Sequence, residues 1–333
     1  MSDVLCDRYQ APQDLAVRAR SWCEHLAPVF EAEVARDADL SGPLALTTYH
    51  FGDILVGGVS APAQRLERSA RMIARQGIDH ILIQFYTTGA SRVRATGREA
   101  AVQASQMVVF DLSQPVVSEA EAVSAINIML PRKRLADQIG TIENLHGRAL
   151  DFRAHPVRQL SYTYLAGLNA SAGAAEAHQL RYLSGAAADL CAACFQPDAN
   201  QAPAVDQINK VAVCQFIEQE LAQETLGVDA LIAQFGLSRA TLYRLFDADG
   251  GVASYIRERR LLRAMKLLGA SGGRPRISSV AYATGFSDEK TFSRAFRRRF
   301  GFLPREAVAE SLIPRAGNDS APILLDWMKS LSA

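Results

Sequence analysis

Phenylalanine recurs at every fourth position in the stretch EKTFSRAFRRRFG, at Phe292, Phe296 and Phe300. At about 100° per residue a helix gathers these three rings into one sector, with Ala295 beside them. Such a sector is stable only when buried. On the same wheel Lys290, Arg294, Arg297 and Arg298 point the other way. Arg299 sits at the edge of the apolar stripe, where its stem can follow the rings and its head reach outward. A solvated face on an ordinary amphipathic helix would explain this segment taken alone, so the residues around it decide.

Just upstream, ISSVAYAT carries Ile277, Val280, Ala281 and Ala283 at helical spacing and runs into Gly285, which suits the left-handed turn at a helix C-terminus. Ser287 or Asp288 can then cap the next helix by accepting from its first backbone N–H groups. The spacing predicts helix, tight turn, helix, an arrangement whose second helix fits the major groove of DNA. VDALIAQFGLSRATLYRLF, Val228 to Phe246, repeats the pattern. Asp229 is placed to cap a first helix with Leu231, Ile232 and Phe235 inward. Gly236 makes the turn, and Ser238 caps a second helix ending in Leu242, Leu245 and Phe246. Arg239, Thr241, Tyr243 and Arg244 fall outward. Between the two units SYIRERRLLRAMKLLGAS reads as a long basic amphipathic helix, with Ile256, Arg260 and Arg263 expected to brace them. Gly269, Gly272 and Gly273 loosen the chain beyond it.

Charge follows the same division. The 333 residues have a net charge of +1, yet Val252 to Arg305 hold 13 basic and three acidic side chains, net +10. A local excess of that size fits a polyanionic partner better than a general solubility role.

The rest of the composition excludes several classes. A chain that is 49% hydrophobic and 21% charged reads as an ordinary soluble globular protein of about two domains. No stretch approaches the ~20 apolar residues needed to cross a bilayer. The acidic first residues lack the order of a secretory signal, so a cytoplasmic protein is expected, without a membrane partner. Cys6, Cys23, Cys191, Cys194 and Cys214 are scattered and odd in number, which argues against disulfides. Cys191 and Cys194 form a C-x-x-C without a second pair or nearby His and are assigned to a buried helical face. The six histidines, among them the distant His50 and His80, form no metal-binding motif. No metal, cofactor or catalytic residue is expected, and hence no enzyme.

From Pro43 to about Pro131 the chain reads as short strands: LALTTYHF, DILVGGV, HILIQFYT, SRVRAT, MVVFDLS and AVSAINIML. Their spacing implies a sandwich or small barrel. Ile81, Ile83, Phe85, Val108 and Phe110 are taken as its inward positions, lining either a core or a pocket. Arg65 to Arg75 includes a helical turn whose basic residues either line a pocket or are solvated, the latter preferred. After Pro131 the pattern turns helical in PRKRLADQI, VRQLSYTYLAGL and EAHQLRYLSGAAADLCAACF. Leu160, Tyr164 and Leu168 share a face that packs on the barrel or on a second subunit. QPDANQAPAV, with two prolines, is the expected linker, and VAVCQFIEQELAQ is an amphipathic helix beyond it. In the tail, Ile323, Leu324, Trp327, Met328 and Leu331 fall on one helical face.

With these motifs in view, the chain resembles the AraC-type bacterial transcription regulators. The resemblance rests on LIAQFGLSRATLYRLF, on YIRERRLLRAMKLL and above all on SSVAYATGFSDEKTFSRAFRRRFGFLP, which matches the family's A-x-x-x-G-F-x-x-x-x-x-F-x-R-x-F-x-x-x-x-G-x-x-P pattern from Ala281 through Pro304. The N-terminal part is similar to the family's cupin-like sensing domains, chiefly through GREAAVQASQMVVFDLSQP and Pro131–Arg132. The implied architecture is α+β: an N-terminal cupin-like β-barrel with appended helices over 1–195, a linker over 196–207, an all-α domain with two helix-turn-helix units over 208–310, and a tail over 311–333. The implied function is a DNA-binding regulator, an activator, responding to a small-molecule effector held by the N-terminal domain. The alternative is a barrel that only dimerises. Promoter DNA, RNA polymerase and a second copy of the chain are the implied partners. By position, Arg239, Ala240, Tyr243 and Arg244 face one major groove and Lys290, Thr291 and Arg294 the next, about 34 Å away. Arg297 and Arg298 are expected at phosphates. One departure stands out: Ala307 and Val308 replace the aromatic and Arg that usually follow the closing Pro.

Overall fold

The computed structural model describes residues 5–95, 97–196, 204–270, 275–311 and 321–331. Two antiparallel sheets form the N-terminal part. The first runs in the order β1 (Cys6–Arg8), β3 (Ala45–His50), β4 (Leu55–Ala61), β11 (Val123–Leu130), β6 (Ile81–Thr88), β9 (Gln106–Asp111) and β12 (Ala149–Asp151). The second runs β2 (Glu31–Val34), β5 (Gln64–Arg68), β10 (Val116–Ala120), β7 (Ala90–Ala95) and β8 (Arg98–Gln103). The sheets stay separate and face each other as a sandwich, so the cupin-like architecture is present without a closed barrel.

The central strand β6 explains the layering. Its ILIQFY run is apolar at nearly every position because both faces of its sheet are covered. Leu82 and Tyr86 point between the sheets, where they join Trp22, Phe30, Val93, Val102 and Phe110. Ile81, Ile83 and Phe85 point outward against α3 (Arg132–Ile139), α4 (Pro156–Ser171) and α5 (Ala177–Ala193), meeting Leu135, Leu165 and Ala188. The sequence alone had placed these three residues on the inside. A strand buried on both sides leaves no polar alternation to fix its parity, and a step of one residue exchanges the faces. Val108 and Phe110 do face inward.

Two further expectations change, and one holds. On α4 the buried positions are Ser161, Leu165 and Leu168, whereas Leu160 is 56% exposed. Arg65 to Arg75 divides into β5 and α2 (Ala70–Gln76), and Arg68 is buried. Its guanidinium donates to the Val29 and Leu112 carbonyls and to Gln76, while burial pushes its pKa down to about 9. Cys191 and Cys194 lie on the buried side of α5, where burial raises both thiols above their ordinary range and so suppresses thiolate chemistry. The remaining N-terminal helix is α1 (Leu15–Leu26).

The C-terminal part consists of α6 (Ala204–Glu220), α7 (Val228–Phe235), α8 (Arg239–Leu245), α9 (Val252–Ala270), α10 (Ile277–Ala283), α11 (Glu289–Phe300) and α12 (Pro304–Ser311), with α13 (Ala321–Ser330) near the end. Most of the expected linker, 197–203, lies outside the described residues, as do Gly272 and Gly273. The helical part sits directly on the sandwich part. Helix α3 packs on α6, and α2 packs on both α9 and α12. At Gly269 on α9 a Cβ would lie 2.5 Å from the Ala74 carbonyl oxygen, so the close approach of α9 to α2 requires glycine there. The same approach accounts for Ala307. It is fully buried beside Ile73 and Ala74 of α2, and a bulky aromatic would occupy the space α2 fills.

Candidate nucleic-acid interface

Each helix-turn-helix unit is built on its own apolar cluster. In the first, α7 contributes Leu231 and α8 contributes Leu242 and Leu245, closed by Phe246, Val213 and Ile217. Gly236 ends α7 at φ +62°, and Ser238 caps α8 by accepting from the Thr241 N–H at 3.0 Å. Asp229 does not cap α7. The helix starts at Val228 after Gly227, so Asp229 lies within the first turn, where a negative charge still suits the helix N-terminus.

The second unit packs Phe286, Phe292, Phe296 and Phe300 against Val280, Ala281 and Leu261. Successive rings lie 5.2, 5.6 and 4.6 Å apart, the spacing of tilted and edge-on aromatic pairs. Of the two capping candidates Asp288 is the cap, accepting from the Thr291 N–H at 2.7 Å. Those hydrogen bonds hold its carboxyl below the usual carboxylate range. Gly285 makes the turn at φ +79°, and a Cβ on it would stand 2.4 Å from the Leu221 carbonyl oxygen. Arg260 of α9 reaches the same place, donating to the Leu221 and Gln223 carbonyls. It therefore braces the two units through the end of α6. Ile256 is buried in the first cluster, but Arg263 is exposed.

The structure places the ten proposed contact residues as follows. Arg239, Ala240, Tyr243 and Arg244 are exposed on α8 and Thr241 is half-buried; the Tyr243 side is 46% exposed. Two of the arginines have acidic neighbours: Arg239 donates to Asp229 at 2.6 Å, and Arg244 pairs with Asp206 at the start of α6. The Arg239–Asp229 pair is solvent-facing, and such a pair contributes little, whereas Asp206 is largely covered. On α11, Lys290, Thr291, Arg294, Arg297 and Arg298 are all exposed while the three rings are buried. Among the described residues no hydrogen bond or ion pair engages the side chains of Lys290, Arg294, Arg297 or Arg298.

Arg299 behaves differently from the expectation that its head reaches outward. It donates to Glu258 of α9 at 2.6 Å and to Gln114 of the sandwich part at 3.1 Å, with its guanidinium over the Phe300 ring. Gln114 in turn donates to Asp111 at 2.8 Å. Asp111 is fully buried, pairs with Arg132 at the start of α3, and accepts from Ser113. Burial opposes its ionisation, but Arg132 and the hydrogen bonds outweigh that and hold its carboxyl well below the usual carboxylate range. His146 accepts the Asp111 N–H through Nδ1 and donates to the Pro115 carbonyl through Nε2, and burial lowers its pKa, favouring this neutral form. The residues of FDLSQP and Pro131–Arg132 thus form a polar core that ends, through Gln114, on α11. No local pattern announces such a link. Its only trace in the sequence is charge placed at the end of an apolar strand and at the start of a helix.

Comparison with known proteins agrees with this geometry. An AraC-binding-like domain model matches residues 19–196, more than half the chain, and a helix-turn-helix domain model matches residues 231–309. The transcriptional activator NphR of Rhodococcus sp is 26% identical over 265 residues, covering 76% of this chain and 77% of that protein. The HTH-type transcriptional activator RhaS of Escherichia coli O139:H28 is 38% identical over 93 residues, which are 27% of this chain and 32% of RhaS. The crystal structure of the AraC-like transcriptional activator CuxR aligns with a TM-score of 0.53 at 27% identity, over 78% of this chain and 94% of that one. These relatives are transcription regulators rather than enzymes. With an AraC-binding-like sandwich on one side and paired helix-turn-helix units on the other, the chain belongs to the AraC family of DNA-binding transcription regulators.

Proposed function

We propose that the protein is a sequence-specific activator in the cytoplasm, responding to a small-molecule effector held by the sandwich domain. Helices α8 and α11 enter successive major grooves on one face of promoter DNA. The observation that carries this reading is α11 itself: its rings are sealed in a core while Lys290, Arg294, Arg297 and Arg298 are presented together to solvent. The activators among its relatives support the sign of regulation. RNA polymerase is then the partner downstream, and a second copy of the chain a further one. A cavity between the sheets favours an effector over a domain that only dimerises. The functional units are the sandwich domain over 1–195, the linker over 196–207, the DNA-binding domain over 208–310 and the tail beyond.

In this arrangement Arg294 bonds a guanine edge bidentately, a contact worth about 1–3 kcal/mol in discrimination, while Arg298 neutralises a phosphate. Arg294→Ala is expected to weaken binding to a selected duplex far more than to a scrambled one. Arg298→Ala is expected to weaken both alike and to reduce the slope of log K against log salt by about 0.9. Binding isotherms on a duplex selected from a random pool and on its scrambled counterpart, across a salt series, measure both. Equal losses on the two duplexes for Arg294→Ala would contradict its assignment.

A further inference from the structure

A cavity open to solvent lies between the sheets. Its lining is mainly apolar, from Val123, Ala125 and Met129 among others, with polar groups from Thr48, Gln64, Gln84, Tyr86 and Asn127. None of the lining residues is Asp, Glu, Lys, Arg or His. The buried Arg68 nearby is not in the lining; it is held by carbonyls and Gln76. The Asn127 Oδ1 is buried without a hydrogen-bond partner among the described residues. One lining side chain comes from far along the sequence: Leu324 of α13.

Helix α13 is seated rather than loosely laid. Leu324, Leu325, Met328 and Leu331 are buried in the same cluster as Leu26, Val29 and Phe30. The two histidines that had no role in the sequence both meet it. His80 Nε2 donates to the Met328 carbonyl, and His50 Nε2 lies 3.3 Å from the Ser330 hydroxyl with its ring edge-on to Trp327. The Gly52 N–H occupies His50 Nδ1, which leaves Nε2 to donate. Space for a ligand exists with α13 in place, so a ligand and the docked helix can be present together.

We infer that α13 is a closing wall of this cavity, and that the cavity takes an uncharged, mainly apolar small molecule with a hydrogen-bonding group for the Asn127 amide. The inference rests on the effector reading above and names both the ligand class and the element that covers it. An ionised ligand would give up its hydration with no opposite charge to meet it. A bound neutral molecule adds apolar contact to Leu324, so ligand and docked helix stabilise each other, and by linkage each must strengthen the other.

The test uses the full chain and two dyes of one skeleton, the uncharged N-phenyl-1-naphthylamine and its sulfonate, 1-anilinonaphthalene-8-sulfonate. The expected result is saturable binding of the neutral dye at one per chain, and binding of the sulfonate at least tenfold weaker. Leu324→Gln should weaken the neutral dye at least fivefold, whereas Ile323→Gln, at a position 44% exposed, should not. Hydrogen exchange in α13 of the unmutated chain should slow when the dye is bound, a readout independent of how the variants fold. No binding of the neutral dye, or equal binding of the sulfonate, overturns the ligand class. Unchanged affinity in Leu324→Gln together with unchanged exchange in α13 overturns the wall and leaves the cavity standing. Retained binding in Ala125→Phe, which fills the cavity, puts the dye elsewhere and removes the cavity as the effector site.

Discussion

Asp111→Asn is expected to destabilise the protein by about 3–5 kcal/mol at neutral pH, because it removes the carboxylate from a buried ion pair with Arg132. The substitution keeps the shape of the side chain, so the effect comes from charge and hydrogen bonding. The surroundings are saturated with donors: Arg132, the Ser113 hydroxyl and N–H, and the Gln114 amide all point at the carboxylate. An amide in its place must turn an N–H₂ toward at least one of them. The carboxyl titrates below its unfolded value, so its contribution is complete above about pH 4 and disappears as pH falls through the lower folded value. Chemical denaturation as a function of pH should therefore show a wide gap between the two proteins at pH 7 that narrows below pH 4. A gap independent of pH would mean that the charge is not its source. Since Gln114 also accepts from Arg299, the variant should loosen the contact between the sandwich and α11 as well.

Phe296→Ala carries the second large effect, also about 3–5 kcal/mol. The ring is fully buried and touches Phe292, Phe300 and Phe302, so its removal opens a cavity at the middle of the second unit. The first unit rests on a separate cluster around Phe246 and Tyr255. Loss should therefore be local: hydrogen exchange should accelerate through α10 and α11 while α7 and α8 keep their protection. Equal acceleration in both units would show that they share one core after all.

The contrast between the two halves of the molecule explains what the sequence made legible. The helix-turn-helix units depend on spacing within about twenty residues, and Phe292, Phe296, Ser238, Asp288 and Gly285 announce it directly. Asp229 was misplaced by two residues, since either Gly227 or Asp229 can begin the helix. In the sandwich the longer strands declared themselves by composition. Their parity did not, because Ile81 and Leu82 are both buried, on opposite faces. The short strands β1, β2 and β12 have too few residues to carry a period, and they exist because neighbours supply hydrogen bonds. The links from Asp111 to Arg132 and from Arg299 to Gln114 were beyond reach for another reason: each joins residues far apart in the chain, 185 positions for the second. The spacing places Ile323, Leu324, Trp327, Met328 and Leu331 on one tail face, but Ile323 is exposed and Leu325 buried, a rotation of the face that only docking on the sandwich could decide.

The central claim is that the exposed faces of α8 and α11 occupy successive major grooves from one side of the duplex. Hydroxyl-radical footprinting on a duplex selected by the full protein tests it most directly. The expected result is two protected tracts about 10 base pairs apart on one face of the helix, with the tract assigned to α11 lost in Phe296→Ala and the other retained. Protection of a single tract by the unmutated protein, or of tracts on opposite faces, would contradict it.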